Sequence, residues 1–159
     1  MSALTTIAVV TALLGSALIA GVFFAFSSFV MKALAALPSS EGIAAMQSIN
    51  VVVLNPSFLS AFTGTAVISA LVAVVAILGW GSPSAPWLLA GAVLYMGGAF
   101  LVTGLGNVPL NNELAAVAAA DPMAVQVWER YLQQWTALNT LRTTAATCAV
   151  LSFTVGLMQ

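Results

Sequence analysis

Between Gly42 and Asn112 the chain runs for seventy-one residues without a charged side chain, and that single stretch decides its solvent. A membrane-spanning helix needs about 20 consecutive, predominantly apolar residues, so the stretch has room for two. Ser2 to Met31 is also uncharged and holds another, and Thr143 to Gln159 supplies most of a fourth. Ordinary soluble chains carry about 25% charged residues, whereas here only 4% are charged and 62% are apolar. The expectation is a multi-pass integral membrane protein, located in a bacterial inner membrane and surrounded by lipid.

The same scarcity removes several functions. Nucleic-acid binding rests on a basic patch, and three basic residues with a net charge of -1 cannot form one. With no histidine and the single Cys148, the usual zinc, haem and iron–sulfur ligand sets are missing. A disulfide within one chain is equally ruled out. Neither a metal nor a resident cofactor is expected.

Turn signals divide the chain. The start, Met1-Ser-Ala-Leu-Thr-Thr6, has no basic residue and leads into nearly thirty apolar positions, which reads as a retained first span of about 4–31 rather than a cleaved signal peptide. Lys32 ends it, and Pro38-Ser39-Ser40-Glu41 reads as a stop followed by a new helix start. A short interfacial helix is expected before Asn55-Pro56, then a second span over about 57–80. Gly81 to Pro86 is a compact turn, which makes the third span, about 87–106, an antiparallel partner of the second. Asn107-Val-Pro-Leu-Asn-Asn-Glu113 is read as leaving the membrane. Asp121-Pro122 opens a long helix, of which 136–157 is the fourth span. The expected fold is all-α: one domain over 1–159, four spans in a bundle, an interfacial helix between spans one and two, and a fourth helix that extends out of the bilayer.

Small residues predict where helices meet. Ala17, Gly21 and Ala25 recur every fourth position in the first span, and Gly91/Gly98 and Gly97/Gly104 recur every seventh in the third, the spacing that permits close approach in lipid. The alternative for the first set is that small residues are simply common in spans. A second copy or another membrane subunit is a candidate partner for such stripes.

Counting crossings puts all seven charges, and the asparagines at 50, 55, 107, 111, 112 and 139, on one face of the membrane. The basic residues favour that face being cytoplasmic. Arg142 is followed by seventeen uncharged residues, about 25 Å of helix at 1.5 Å per residue, against a hydrocarbon core about 30 Å thick. It therefore starts below the interface. Either it snorkels upward along its own helix, or it faces the bundle interior and marks a site. Trp135 and Asn139 precede it by seven and three positions on one helical stripe, a combination of aromatic plane, amide and guanidinium that suits a flat ligand carrying oxygens. Asn107 and Asn111 flank Pro109 and are either ligand groups or a helix stop. Asn55 reads more simply as a helix start, and Asn50 lies on the interfacial helix. Glu113, Asp121 and Glu129 are ordinary solvated carboxylates unless one folds back onto Arg142, and Cys148 reads as a small buried residue.

Taken together, Gly21-Val-Phe-Phe-Ala-Phe-Ser-Ser-Phe-Val-Met31, Glu41-Gly-Ile-Ala-Ala-Met-Gln-Ser-Ile-Asn50, Asn107-Val-Pro-Leu-Asn111 and Trp135-Thr-Ala-Leu-Asn-Thr-Leu-Arg142 resemble the anthrone oxygenase-like family, small four-helix membrane proteins mostly described as a domain of unknown function. The resemblance implies oxidation of an anthrone to an anthraquinone by molecular oxygen, with no evident metal or flavin. It places the family pattern on Asn107, Pro109, Asn111, Trp135, Asn139 and Arg142, with Asn50 and Pro56 less closely matched. Under that implication Arg142 and Asn139 stabilise an oxyanion, and Trp135, Asn107, Asn111, Asn50 and Asn55 contact the substrate. Glu113 is the candidate base. The competing expectation is a non-enzymatic protein: a lipid- or quinone-binding module, or an accessory subunit of a larger membrane complex.

Overall fold

The computed structural model covers residues 1–159 and contains five helices and no strands. Helix α1 spans Ala3–Ala35, α2 Ser39–Val52, α3 Pro56–Leu78, α4 Ala85–Ala115 and α5 Ala124–Leu157. Of these, α1, α3 and α4 are long and apolar enough to cross a membrane, which marks a membrane protein. At 1.5 Å per residue the 34 residues of α5 reach about 51 Å, well beyond the thickness of a hydrocarbon core.

Local chemistry sets the boundaries. Ser2 Oγ accepts from Thr5 N–H at 3.2 Å to cap α1. Asn55 Oδ1 caps α3 by accepting from Phe58 N–H at 3.0 Å, with Pro56 in the first turn. Glu41 lies in the first turn of α2, where a carboxylate meets the positive end of the helix dipole.

Two helices contain widened π turns, at Phe26–Val30 in α1 and at Leu94–Leu101 and Thr103–Asn107 in α4. In α1, Ser28 Oγ donates to Phe24 O at 2.7 Å, and Asn139 Nδ2 donates to Phe23 O at 2.7 Å, competition that loosens α-helical pairing. In α4, Thr103 Oγ1 donates to Ala99 O at 2.8 Å, and Gly97, Gly98, Gly104 and Gly106 lower the preference for a regular helix. The helix that holds the expected third span continues beyond 106, since α4 runs through Pro109 to Ala115. The wide turn ahead of Pro109 relaxes the carbonyl that the missing N–H would have bonded, and the helix continues.

Helix α1 packs on α3 and α5, and α4 packs on the same two, so the four longest helices close a ring while α2 lies against the ends of α1, α4 and α5. A large apolar core containing Ile19, Phe23, Phe62, Val72, Leu88, Tyr95 and Phe153 fills the ring. A smaller one, with Met31, Ile43, Met46, Leu114, Trp128, Tyr131 and Trp135, sits under α2. The stripe Ala17/Gly21/Ala25 is not the packing face: Ala17 and Gly21 are exposed, and the face that packs carries Val9, Ala12, Ser16, Ile19 and Phe23. In α4 one of the two glycine pairs makes the contact. A Cβ at Gly91 would lie 2.7 Å from the Phe153 ring and one at Gly98 would collide with Ala145, whereas Gly97 and Gly104 face open space.

Candidate ligand-binding site

Arg142 does not snorkel. Its side chain turns into the ring, 4% exposed, with its Cζ 4.1 Å from the centre of the Phe23 ring and 5.2 Å from that of Trp135. Nη1 donates to Thr103 Oγ1 at 2.9 Å and Nη2 to Asn139 Oδ1 at 2.7 Å. Nε–H has no partner, and no carboxylate pairs with the guanidinium, since the chain's single ion pair joins Arg130 to Glu113 at the half-exposed surface. Two aromatic faces offset part of the charge's desolvation; the remaining donor and the net charge stay uncompensated.

Asn139, fully buried, orients that guanidinium. Its Nδ2 donates to Phe23 O and to Ser27 Oγ, both at 2.7 Å, which fixes the amide so that Oδ1 faces Arg142. One helical turn further along α4, Asn107 makes the matching contact with α5: its Nδ2 donates to Trp135 O at 3.2 Å. A carbonyl can only accept, so Asn107 Oδ1 must point the other way, and it is buried with no donor. Asn111 Oδ1 accepts from Trp135 Nε1 at 2.8 Å and from Tyr131 Oη at 2.9 Å, while Asn50 Nδ2 reaches the same phenol at 3.4 Å. Burial raises the Tyr131 phenol above its ordinary value, against the lowering influence of the Asn50 contact and the Arg142 charge, so it stays a neutral donor to Asn111. Trp128, Tyr131 and Trp135 stack in sequence with ring centres 5.7 and 5.9 Å apart, and Phe26 leans on Trp135 at 5.7 Å.

These groups border a cavity of about 340 Å³ between the two cores, a volume within the range of small-molecule sites. Its wall is mostly apolar, with Phe23, Phe26, Met46, Phe58, Phe62, Phe100 and Trp135, and its polar groups are few: Asn50, Thr63, Thr103, Asn107, Asn111 and Arg142. The exposed lining residues Leu54, Leu59, Thr63, Gly104 and Val108 form its mouth. This mouth lies beyond the Phe62–Phe100 contact between α3 and α4, whose ring centres are 5.2 Å apart.

Of the residues singled out in the sequence, Arg142, Trp135, Asn107, Asn111 and Asn50 line this cavity, and Asn139 stands directly behind Arg142. Two do not join them. Asn55 spends both ends of its amide on the α2–α3 corner, capping Phe58 N–H and donating to Val52 O at 3.0 Å. Glu113 is two residues beyond Asn111, which on a helix turns it about 200° away from the cavity, and its carboxylate is taken by Arg130. The sequence reading also missed Phe23, Thr103 and Tyr131 as site residues. Tyr131 lies one turn before Trp135 and Thr103 one turn before Asn107, so helical spacing marked both; nothing in the sequence marked Phe23 among its neighbouring phenylalanines.

The sequence profile of the family described as anthrone oxygenase matches residues 57–152. The chain belongs to the anthrone oxygenase family. The matched region takes in α3, α4 and most of α5, and so Thr103, Asn107, Asn111, Trp135, Asn139 and Arg142; the cavity wall from α1 and α2 lies outside it. No curated protein and no solved structure matches the chain.

Proposed function

We propose that this is a four-span protein of a bacterial inner membrane that admits a flat, hydrophobic anthrone or phenol from the lipid and promotes its oxidation by molecular oxygen without a cofactor. The fourth span is α5. Thr140, Thr143, Thr144, Thr147 and Thr154 each donate their hydroxyl to the carbonyl one turn back, so a threonine-rich segment keeps its polar groups satisfied internally, as lipid requires.

One observation carries the functional reading: a buried guanidinium with an unpartnered N–H and no counter-charge borders a mostly apolar cavity whose mouth is lined by exposed residues. Such a group favours a ligand oxygen that bears or develops negative charge. Loss of a ring CH₂ proton from an anthrone gives an enolate whose oxygen receives the Arg142 N–H, while Trp135 and Phe23 cover the ring faces. The enolate passes one electron to dioxygen, and the carbon radical and superoxide combine to form a carbon–oxygen bond. The resulting peroxide anion takes up a proton from water, replacing the one lost in the first step, and the hydroperoxide then loses water, through its remaining ring C–H and the O–O bond, to leave the second carbonyl. Each turnover consumes one dioxygen and releases one water. No carboxylate borders the cavity, so the proton leaves through water at the mouth, and Arg142 promotes the step by stabilising the anion rather than by taking the proton.

The absence of a base from the cavity wall favours one other reading, a binding module for a quinone or lipid. Oxygen uptake and quinone absorbance, measured with anthrone and the protein in nanodiscs, separate the two. Turnover above empty nanodiscs, lost in Arg142→Met, is expected. Binding without turnover supports the module, and neither binding nor turnover removes both.

A further inference from the structure

The two asparagines of Asn107-Val-Pro-Leu-Asn111 converge on a single residue of α5. Asn107 and Asn111 lie four apart on α4, and Tyr131 and Trp135 four apart on α5, so each pair occupies one helix face. Pro109, two residues from either asparagine, is exposed. Asn107 Nδ2 donates to the Trp135 backbone oxygen at 3.2 Å, and Asn111 Oδ1 accepts from the Trp135 indole N–H at 2.8 Å. The same Asn111 oxygen accepts the Tyr131 hydroxyl at 2.9 Å, so both of its lone pairs are engaged. Trp135 is 5% exposed, and a buried indole needs an acceptor for its one donor. The rings beside it impose little direction: Tyr131 stacks at 22° and Phe26 tilts at 54°. Ring packing tolerates rotation within the plane, whereas a hydrogen bond is directional and fixes where the N–H points.

We propose that Asn107 and Asn111 are positioning residues, a bracket that holds Trp135 by its backbone oxygen and its indole N–H and so sets the aromatic face the cavity offers to a ligand ring. This rests on the reading of the cavity given above and deepens it. The Trp135 face covers a flat ligand whose oxygen meets Arg142, and the guanidinium carbon lies 5.2 Å from that ring's centre. A displaced indole therefore carries the ligand out of line with the cation, and small misplacements of this kind are costly. The Asn111 acceptor is spent on this task, so its part in the site is indirect.

The test is the indole N–H magnetic resonance of Trp135, read without ligand in the full-length protein carrying nitrogen-15 tryptophan in detergent micelles. The chain has four tryptophans, and the resonance lost in Trp135→Phe is that of Trp135. Asn111→Leu should move it upfield, as for a donor that loses its acceptor. Asn111→Asp, which keeps an acceptor oxygen, should return it toward the wild-type position. Tyr131→Phe removes the donor that shares the oxygen and should move the resonance downfield, which keeps the test decisive where Asn111→Leu does not fold. Gly91→Ala crowds Phe153, far along α5, and controls for lost stability; here the resonance should stay in place. Equilibrium binding of anthrone in nanodiscs reads the consequence, and Asn111→Leu should bind about tenfold more weakly than wild type. A resonance unmoved in Asn111→Leu or Tyr131→Phe, or moved equally by Gly91→Ala, overturns the proposal. So does wild-type affinity in Asn111→Leu with the resonance shifted. If the wild-type protein binds no anthrone, the reading of the cavity fails and the resonances alone decide the bracket.

Discussion

Replacing Arg142 by Met separates a cation kept for a ligand from one kept for the fold. Met fills a similar volume with an adaptable, apolar side chain. The exchange removes two hydrogen bonds from a charged donor, to Thr103 and Asn139, a loss of about 3 kcal/mol at the low end of the usual range. Two cation–π contacts, to Phe23 and Trp135, account for about 2 kcal/mol more. Against this, a guanidinium 4% exposed, with Nε unbonded and no carboxylate partner, costs the folded state several kcal/mol, of order 5. Thr103 Oγ1 keeps its bond to Ala99 O, which limits what is left unsatisfied. The two sides nearly cancel, and Arg142→Met should sit within about 2 kcal/mol of wild type. Reversible unfolding in mixed micelles measures that difference, and anthrone binding to the same sample should drop at least tenfold. Loss of more than about 4 kcal/mol with unchanged binding would instead make Arg142 a structural bolt whose removal strands its partners.

Asn139→Ala is the opposite case: it strands Arg142 Nη2 and takes one donor each from Phe23 O and Ser27 Oγ, which keep Phe26 N–H and Thr140 Oγ1, and should destabilise the protein by about 3 kcal/mol, read in the same unfolding experiment; a cost below that of the exposed control Thr144→Ala would contradict it. Gly98→Ala drives a methyl into Ala145 and should lose about 1–3 kcal/mol, whereas Gly97→Ala, which meets nothing, should lie within about 0.5 kcal/mol of wild type. Gly104→Trp adds a large side chain at the mouth where a Cβ has open space; stopped-flow binding from lipid should slow several-fold with the melting temperature unchanged, and an unaltered rate would place the way in elsewhere.

Helices were the most legible part of the sequence, because uncharged length and turn chemistry act locally. Asn55-Pro56, Pro38-Ser39 and the uncharged runs set element edges to within a few residues. The extension of α4 through Pro109 was hidden because a π turn depends on carbonyls taken by side chains such as Thr103, a competition that spacing alone does not display. The packing faces were half legible: Gly91 and Gly98 meet α5, but Ala17 and Gly21 face outward, since small size permits close approach without requiring it. At the site, depth in the bilayer drew attention to Arg142, and helical spacing joined Trp135 and Asn139 to it. Glu113 was misplaced for a simple reason: closeness to Asn111 in sequence is not closeness on a helix, where two residues apart means opposite sides. Phe23 enters only through tertiary structure, because nothing distinguishes it from Phe24 until α1 meets α5.

Stabilisation of an anionic ligand by Arg142, as proposed, shows directly in the ionisation of bound anthrone. Burial in an apolar cavity alone raises the pKa of an acid, while a fixed cation at its oxygen lowers it, so the two influences carry opposite signs. In a spectrophotometric titration of anthrone saturating the protein in nanodiscs, the ionisation midpoint should fall by at least about one unit relative to anthrone in empty nanodiscs, equivalent to about 1.4 kcal/mol of preferential binding of the anion, and should rise again in Arg142→Met. A midpoint that is unchanged or raised in the wild-type protein would mean that Arg142 does not stabilise the anion.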